Sequence, residues 1–131
     1  MKRRSAFCFF YCQETDRFLL EIRGDKVGNP GKFGLFGGGI EKGESPVSAI
    51  RRELLEETGH EFVSFDHEAE KIRGKLWYFF KLVRYEFDPV LSWESAGYRW
   101  FKKFPEDNLH PMINRFMPSF VKFLKKVRGE E

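Results

Sequence analysis

The chain has 131 residues and a net charge of +3, with 41% hydrophobic and 33% charged residues. This length suits a single domain, residues 1–131, with one hydrophobic core. The small positive charge argues against a nucleic-acid polymer as partner but is compatible with a small anionic substrate. No apolar run approaches the roughly 18 residues of a membrane span, so none is expected.

The first predicted elements are two strands joined by a turn. Ser5–Cys12 is an aromatic-rich run of the kind that is buried on both faces in the middle of a sheet. Arg17–Arg23 is its partner, after a turn at Glu14–Asp16. Cys8 and Cys12 lie four residues apart on the first strand, too far to form a disulfide. We therefore expect buried, reduced thiols, which favour a reducing compartment, the cytoplasm.

A glycine- and charge-rich loop over residues 24–34 is followed by a short helix. Ser45 can cap this helix, Pro46 suits its first turn, and Gly59 can end it in a left-handed conformation. These signals predict a helix over residues 46–58. One face of the helix has the spacing of a surface buried against a core. That face consists of Val47, Ile50 and Leu54.

The rest of the chain predicts further strands and a terminal helix. Glu61–Phe65 and Lys71–Phe87 contain strands, the second with an aromatic run, and Tyr98–Phe101 is a short strand. Residues 108–128 are mostly helical, with breaks near the two prolines of this segment. Strands on both sides of one helix, followed by a second helix, predict an α/β/α sandwich.

The most informative feature is an acidic cluster on the helix over residues 46–58, formed by Glu53, Glu56 and Glu57. Residues three and four apart share one face of a helix, here an arc of roughly 100°. Three carboxylates crowded on one face repel each other at neutral pH. A bound Mg²⁺ or Mn²⁺ relieves this repulsion, because hard cations prefer oxygen ligands. The alternative is a solvated face, since Glu is a good helix former.

The residues around the cluster favour the metal site. Gly38 is followed after five residues by Glu44, and after seven more by the run Arg52–Gly59, which is Arg-Glu-Leu-Leu-Glu-Glu-Thr-Gly. This long pattern of fixed spacing resembles the Nudix box. The last box position is usually aliphatic and is His60 here, and the Pro that often precedes the double glycine is replaced by Phe36. The position of His60 is a packing position in the family, not a catalytic one, and Phe occurs at the position of Phe36 in some sanitising triphosphatases.

The resemblance implies both the fold and the reaction. Nudix hydrolases have a mixed sheet between helices and hydrolyse a nucleoside diphosphate linked to another group. The family pattern makes the three helix carboxylates ligands of Mg²⁺, with Mn²⁺ as a substitute. Gly38 or Gly37 can add a backbone carbonyl, because no side chain blocks a close approach. Arg52 is expected to orient the carboxylates, and Glu44 either acts in catalysis or braces the loop.

A further carboxylate outside the box is expected at Glu94. It lies in the loop Ser92–Gly97, just before the strand that contains Trp100. MutT-type members have a loop glutamate at a matching distance from a strand Trp. By this resemblance Glu94 is either a metal ligand or the general base. The alternative is a solvated loop residue.

Four residues are candidates for contact with the substrate. Arg23 ends the second strand, where MutT-type enzymes often have a basic residue that binds phosphate. Asn108, with Asp107 as second choice, resembles the base-reading Asn of those enzymes, and its amide can pair with a purine edge. The alternative for Asn108 is a helix cap. Phe36 and Tyr78 can stack on a base, unless they belong to the core.

Together these residues predict a Mg²⁺-dependent nucleoside triphosphate pyrophosphohydrolase of the MutT type, which releases pyrophosphate and a nucleoside monophosphate. Oxidised dGTP (8-oxo-dGTP) is one candidate substrate. A dinucleoside polyphosphate (Ap4A-type) hydrolase is the first alternative, because the Tyr characteristic of that branch falls at Tyr78. A nucleotide-sugar hydrolase is the second. A domain that only binds a nucleotide is the third alternative. Such domains typically lose carboxylates of the box, whereas this chain retains Glu44, Glu53, Glu56 and Glu57.

Overall fold

The computed structural model describes residues 3–130, within which seven strands form one mixed sheet flanked by three helices. In chain order the first elements are β1 (Ser5–Cys12), β2 (Arg17–Arg23), β3 (Phe33–Gly34), β4 (Phe36–Gly39) and α1 (Pro46–Thr58). The later elements are β5 (His67–Ile72), β6 (Leu76–Val83), β7 (Ser95–Phe101), α2 (Pro111–Arg115) and α3 (Met117–Val127).

The central strand of the sheet is β1. It pairs in parallel with β6 along its whole length. On its other side, Ser5–Cys8 pair with β4 and Tyr11–Cys12 pair with β2, both antiparallel. Strand β2 also pairs with β3 and β7, and β5 pairs with the outer side of β6. Because β1 changes partner along its length, β2 and β4 separate beside its first half.

Successive side chains of β1 point to opposite faces of the sheet. Phe9 and Tyr11 belong to the core under α2 and α3, whereas Cys8 and Phe10 belong to the core under α1. This arrangement confirms the predicted α/β/α sandwich and the strand buried on both faces. Cys8 and Cys12 are buried and not bonded to each other, as expected.

The predicted helix over residues 46–58 is confirmed at both ends. The Ser45 hydroxyl accepts a hydrogen bond from the Ser48 backbone N–H at 3.2 Å. Gly59 ends the helix with a φ of 73°, the left-handed conformation that glycine adopts most easily. Ile50 and Leu54 are fully buried, but Val47 in the first turn is 40% exposed. The buried face therefore begins one turn later than predicted.

The strand predicted at Glu61–Phe65 is wrong. This segment is irregular, although Phe62 and Phe65 still pack on the core beneath α1. Its aromatic content is therefore explained by packing, not by strand pairing. Pairing with β6 begins only afterwards, where the Asp66 N–H donates to the Phe80 carbonyl at 2.9 Å.

The terminal helical region begins at Pro111 and is broken at Phe116, close to the predicted break at Pro118. Asn108 precedes α2 and has a φ of 63°. The N-cap of α2 is His110, so Asn108 is not the helix cap. None of the helices within residues 3–130 combines the length and the apolar character needed to cross a bilayer.

Candidate active site

Helix α1 carries the acidic cluster at the edge of the core. Glu53 and Glu57 are 7% and 2% exposed, because they lie beside the apolar face formed by Ile50 and Leu54. Glu56 is one turn along from Arg52 and its side chain is mostly exposed. The cluster is therefore not a solvated face, since two of its three carboxylates are removed from water.

Arg52 donates hydrogen bonds to two carboxylates of the cluster and to Glu44 in the preceding loop. Its guanidinium donates two hydrogen bonds to Glu44, at 2.8 and 2.9 Å, and one to Glu53 at 3.0 Å. It also donates to the Gly39 carbonyl at 3.0 Å and to Glu56 at 3.4 Å. These charge-assisted bonds tie the helix to β4 and to the loop between them.

Glu44 is the main partner of Arg52. The hydrogen bonds from Arg52 and from the Glu41 backbone N–H lower the pKa of Glu44 to about 2. A carboxylate held in this way stays ionised and directed at Arg52. The geometry therefore supports the bracing role of Glu44 over direct catalysis.

The glycines of β4 allow the backbone to lie against the acidic cluster. A Cβ at Gly38 would lie only 2.7 Å from the Glu53 carboxylate. At Gly37, where φ is 146°, a Cβ would lie 2.2 Å from the Ala6 carbonyl oxygen. Any side chain at either position would displace the cluster or β1, so this stretch of backbone needs both glycines.

Glu57 is the most unusual carboxylate of the site. Its Oε2 is buried and has no hydrogen-bond partner among the described residues. Burial raises the pKa of Glu57, and so do a hydrogen bond with Glu53 and the charges of Glu21, Glu53 and Glu94. A buried, unpartnered carboxylate oxygen among other carboxylates is a place where a cation would be strongly stabilised.

Strand β2 contributes a functional candidate that the sequence did not single out, Glu21. This residue is 2% exposed and accepts hydrogen bonds from the Ser95 hydroxyl at 2.6 Å and from Arg23 at 3.5 Å. Burial raises the pKa of Glu21 to about 7, and the charge of Glu94 adds to that shift. The available signal was a single charged residue inside the apolar run Phe18–Ile22.

The loop before β7 brings Glu94 to the same site. The Gly24 N–H donates to the Glu94 carbonyl at 2.8 Å, and a Cβ at Gly24 would lie 2.9 Å from that oxygen. This close contact fixes the loop against the end of β2. Burial raises the pKa of Glu94, and the negative charges of Glu53 and Glu56 raise it further.

These side chains line one cleft of about 510 Å³, located where β2 and β4 separate. Its acidic residues are Glu21, Glu41, Glu53, Glu56, Glu57 and Glu94. Its basic residues include Arg3 and Arg23, and the Arg23 guanidinium donates to the Gly28 carbonyl at 2.6 Å. Phe7 is the one aromatic side chain among the described residues that line the cleft. The cleft thus combines carboxylates for cations with arginines for an anion.

Two of the predicted substrate contacts are contradicted by the structure. Phe36 is 1% exposed and packs in the core under α1, and Tyr78 is 0% exposed and packs on the other side of the sheet against Phe116 and Phe120. Neither ring has a free face with which to stack on a base. Both are strand residues covered by a helix.

Asn108 lies outside the cleft. Its side-chain NH₂ donates to the Gly31 carbonyl at 2.9 Å, and its backbone carbonyl accepts from the Phe33 N–H at 2.8 Å. These bonds attach the segment before α2 to the glycine-rich loop. A contact between Asn108 and a base stays a prediction.

The donor set of the cleft fits a hard divalent cation. It consists of carboxylate oxygens, one of them buried and unpartnered at Glu57, with a glycine backbone alongside at Gly38. In the described part of the chain, no group of three acidic, histidine or cysteine side chains is arranged so that it could already hold a metal ion. Two of the acidic side chains, Glu53 and Glu56, are instead turned to Arg52.

Fold and site together define a class of protein: an α/β/α sandwich whose acidic helix follows a glycine-rich turn and faces a cleft suited to cations and a polyanion. The chain belongs to the Nudix family, because the NUDIX domain model matches residues 1–122. It is a hydrolase that acts on phosphoanhydrides. Nudix hydrolases generally use divalent metal cations and act on small nucleotides.

Among similar proteins is the nucleoside triphosphatase NudI of Escherichia coli O81 (strain ED1a). It is 28% identical over 130 residues, which covers 87% of this chain and 91% of the relative. The NudI of Shigella flexneri serotype 5b (strain 8401) is 27% identical with the same coverage. The chain therefore matches these relatives over nearly their whole length.

A solved structure with the same fold is the MutT protein from Methanosarcina mazei Go1. It has a TM-score of 0.74 and 26% sequence identity, and the match covers 95% of this chain and 96% of the other. A bifunctional NMN adenylyltransferase/ADP ribose pyrophosphatase from Francisella tularensis, complexed with AMP and a Mn ion, has a TM-score of 0.68. At 16% identity, with 95% of this chain and 42% of the other covered, it supports the fold alone.

Proposed function

We propose that this protein is a Mg²⁺-dependent nucleoside triphosphate pyrophosphohydrolase. The observation that carries the proposal is the cleft in which buried carboxylates of α1 and β2 face Glu94, Arg3 and Arg23. Nucleoside triphosphate cleavage is also the activity in the name of the NudI relatives, which match over 91% of their length. In the proposed reaction, water adds across the α–β anhydride bond and yields a nucleoside monophosphate and pyrophosphate.

The residues that would hold Mg²⁺ are Glu53, Glu56, Glu57 and Glu94, with a backbone carbonyl of Gly38. When bound, the cation neutralises phosphate charge and lowers the pKa of the attacking water. The surroundings of Glu57 support a bound cation at this place, because its buried oxygen lacks a partner among the described residues. Mn²⁺ is expected to substitute, because it accepts the same oxygen ligands.

The protein side chains divide the remaining tasks. Arg23 and Arg3 line the cleft and would bind phosphate oxygens, since guanidinium groups suit phosphate geometry. Arg52 is a positioning residue, because its five bonds all go to protein groups. Glu94 is either a ligand or the general base, and its raised pKa favours uptake of a proton from water.

A place for the nucleoside is indicated by a second hollow that continues the cleft. This hollow of about 250 Å³ shares Arg3, Ser5 and Phe7 with the catalytic cleft. Ile72 and Met112 add an apolar wall. Phe7 is partly buried and lines both hollows, so it is our candidate for the stacking role first predicted for Phe36 and Tyr78. Phe7→Leu should raise KM for a nucleotide more than it lowers kcat.

The dinucleoside polyphosphate alternative loses its main argument. It depended on Tyr78, which is fully buried in the aromatic core. No feature of the cleft favours a nucleotide sugar over a triphosphate. The base preference, including oxidised dGTP, depends on the residues around Phe7 and on the prediction for Asn108.

The experiment is a nucleotide panel with the full chain and Mg²⁺, analysed for products. The panel contains the common nucleoside triphosphates, oxidised dGTP, a dinucleoside tetraphosphate and a nucleotide sugar. Pyrophosphate plus monophosphate from the triphosphates is the expected pattern. Cleavage of only the tetraphosphate or the nucleotide sugar would contradict the proposal. Nucleotide binding without any turnover by folded protein would revive a binding module.

Glu94→Gln separates the two roles left open for this residue. A general base would lose turnover while Mg²⁺ affinity, measured by calorimetry, stays unchanged. A ligand would lose both. Glu106→Gln is a suitable control, because Glu106 is exposed and does not line the cleft. Unchanged kcat in Glu94→Gln would show that the residue is only a loop carboxylate.

A further inference from the structure

Glu21 is a charged residue in a strand that is otherwise apolar at its centre. In β2 it follows Phe18, Leu19 and Leu20, and it is 2% exposed. A buried carboxylate costs free energy unless its surroundings compensate for the lost water, whereas an apolar residue fits the middle of a sheet without that cost. The packing of the strand alone therefore does not explain a glutamate at this place, and its hydrogen-bond partners indicate what it does.

The two oxygens of Glu21 connect separate parts of the catalytic cleft. One accepts a hydrogen bond from the Ser95 hydroxyl at 2.6 Å, and the other accepts from the Arg23 guanidinium at 3.5 Å. Glu21, Arg23 and Glu94 all line the cleft, and Ser95 follows Glu94 directly in the chain. The bond from Ser95 is the shorter of the two and is made to a charged acceptor, so it is the stronger one.

A β-bulge turns the Ser95 side chain toward Glu21. The regular ladder between β2 and β7 would pair Arg23 with Ala96, but the register shifts there and Arg23 pairs with Ser95. Directly opposed residues of two antiparallel strands have their side chains on the same face of the sheet, and successive residues alternate. The one extra residue thus places Ser95 on the face that carries both Arg23 and Glu21. Without the bulge, the Ser95 side chain would lie on the other face.

The backbone at Glu94 is held as well. The Gly24 N–H donates to the Glu94 carbonyl at 2.8 Å, and the two segments are so close that a Cβ at Gly24 would lie 2.9 Å from that oxygen. One contact therefore restrains the carbonyl of Glu94, and the bond to Glu21 restrains the next residue. Together they fix the backbone from which the Glu94 side chain reaches the cleft.

We propose that Glu21 is a positioning residue, which holds Glu94 in the catalytic cleft through its hydrogen bond with Ser95. This role of Glu21 rests on the proposed function, because that function gives Glu94 its part in the reaction. Both oxygens of Glu21 already have protein donors, whereas Oε2 of Glu57 has none among the described residues and is available to a cation. Glu21 thus acts through other residues, and a small displacement of the group that it holds lowers turnover.

The first test is Ser95→Ala, which removes the donor and leaves every carboxylate and arginine of the cleft in place. With Mg²⁺ and a nucleoside triphosphate, kcat should fall by about tenfold, as for other residues that orient a reacting group, while KM changes by less than about twofold. Ser95→Thr keeps the hydroxyl and should recover most of this kcat. Ser64→Ala is the matched control, because Ser64 is exposed and does not line the cleft.

A double-mutant cycle shows whether Ser95 acts through Glu94. In a Glu94→Gln background, Ser95→Ala should lower kcat by less than about twofold, because the group that it positions has already been lost. An equal loss of kcat in both backgrounds would contradict the role of Glu21. A Glu94→Gln variant with unchanged kcat would contradict it too, since Glu21 would then hold a residue without a part in the reaction.

Hydrogen exchange of the Gly24 amide is a readout that needs neither metal nor substrate. This N–H donates to the Glu94 carbonyl, so its exchange rate reports how often the loop separates from β2. In the metal-free protein, Ser95→Ala should raise the rate by about tenfold, because a hydrogen bond to a charged group is lost. An unchanged rate would overturn the role of Glu21 alone. A wild-type protein that hydrolyses nothing in the nucleotide panel would overturn the proposed function, and the role with it.

Glu21→Leu separates positioning from the stability of the fold. An apolar side chain in place of a buried carboxylate should leave the urea midpoint unchanged or raise it, while kcat falls about as far as in Ser95→Ala. Glu21→Gln keeps a carbonyl oxygen that can accept from Ser95, and it should retain more turnover than Glu21→Leu. A lower urea midpoint in Glu21→Leu, with no advantage in turnover for Glu21→Gln, would mean that Glu21 serves the fold and does not position Glu94.

Discussion

On the α1 side of the sheet, the helix itself carries buried carboxylates, whereas the core beneath α3 is built largely of aromatic rings. On the α1 side, Glu53 and Glu57 are almost fully buried and Arg52 connects the former to the loop. On the α3 side, the ring of Phe120 lies 5.2 Å from that of Phe9 and 5.1 Å from that of Tyr78.

This difference indicates that residues on the α1 side serve mainly the reaction, whereas residues on the α3 side serve mainly the stability of the fold. Buried carboxylates cost free energy until a cation or a hydrogen bond compensates for the lost water. Buried aromatic rings stabilise the fold through apolar area and ring contacts, and need no ligand. Substitutions on the α3 side should therefore change the free energy of unfolding, and substitutions on the α1 side should change turnover.

The largest expected effect is on the α3 side. Phe120→Ala removes a fully buried ring and should lower the free energy of unfolding by about 3–5 kcal/mol, measured by urea denaturation. Turnover per folded molecule should remain close to that of wild type. Val121→Ala on the same helix is the control, because Val121 is 36% exposed and should cost less than about 0.5 kcal/mol. Equal urea midpoints for Phe120→Ala and Val121→Ala would contradict the assignment of stability to the α3 side.

Glu57→Gln should have the opposite effect to Phe120→Ala, namely a loss of turnover without a loss of stability. Turnover with Mg²⁺ should fall by about 10²–10³-fold, because the buried ligand oxygen loses its charge. Burial raises the pKa of Glu57, so the unfolded chain gives up this proton more readily than the folded metal-free protein, and the free energy of unfolding falls as pH rises above the ordinary pKa of 4.5. Gln resembles the neutral form, and the metal-free variant should therefore be more stable than wild type at pH 8.

The comparison for Glu57→Gln is thermal unfolding with and without Mg²⁺. Mg²⁺ should raise the melting temperature of wild type and leave that of the variant nearly unchanged. Glu56→Gln provides a contrast, because Glu56 is mostly exposed and should not gain stability without the metal. A Glu57→Gln protein that is active and is stabilised by Mg²⁺ would remove Glu57 from the ligand set.

Arg52→Ala should reduce turnover by about 10–100-fold, the range for residues that orient a ligand. Its loss leaves Glu44 and Glu53 without their charged partner and the Gly39 carbonyl without its donor. Arg52→Lys should recover only part of the activity, since Lys cannot make the two parallel bonds to Glu44. Full recovery by Lys would show that charge, and not geometry, is what this position supplies.

The parts that were predictable from sequence are those defined by local interactions. The bounds of α1 follow from a cap at Ser45 and a left-handed glycine at Gly59, which act within a few residues. The spacing of the box brings Arg52 to Glu44 and Glu53, because Glu44 lies only eight residues before Arg52 and Glu53 follows it directly. The resemblance placed Glu94 near the cluster, and it lines the same cleft.

The parts that were missed depend on contacts between distant segments. Glu21 and Phe7 line the cleft because β1 changes partner between β4 and β2, and no local pattern announces that exchange. Phe36 and Tyr78 were assigned to the substrate because alternation along a strand does not tell which face a helix covers. For Tyr78 the covering rings come from residues more than thirty positions later.

The smallest expected effect concerns the attachment of α3 to the sheet. The Arg128 guanidinium and the Tyr11 hydroxyl both donate to the Asp16 carboxylate at 2.6 Å, beyond the C-terminal end of α3. The hydrogen bond from Tyr11, followed by that from Arg128, lowers the pKa of Asp16 below its ordinary value of 3.8. A carboxyl group whose pKa is lowered by folding adds stability above the ordinary pKa, and this stability is lost as pH falls through the folded value.

Asp16→Asn should therefore lower the free energy of unfolding at pH 7, and the deficit should shrink as pH falls below the ordinary pKa of 3.8 and through the lower pKa of the folded state. The deficit should not exceed about 1 kcal/mol, because the Asp16 side chain is half exposed and water screens the pair. Glu14→Gln in the same turn is the control and should show no such dependence, since Glu14 is exposed. Urea titrations at several pH values measure the difference. A deficit that stays constant as the solution is acidified well below pH 3.8 would mean that Asp16 stabilises the attachment of α3 by its shape and hydrogen bonds and not by its charge.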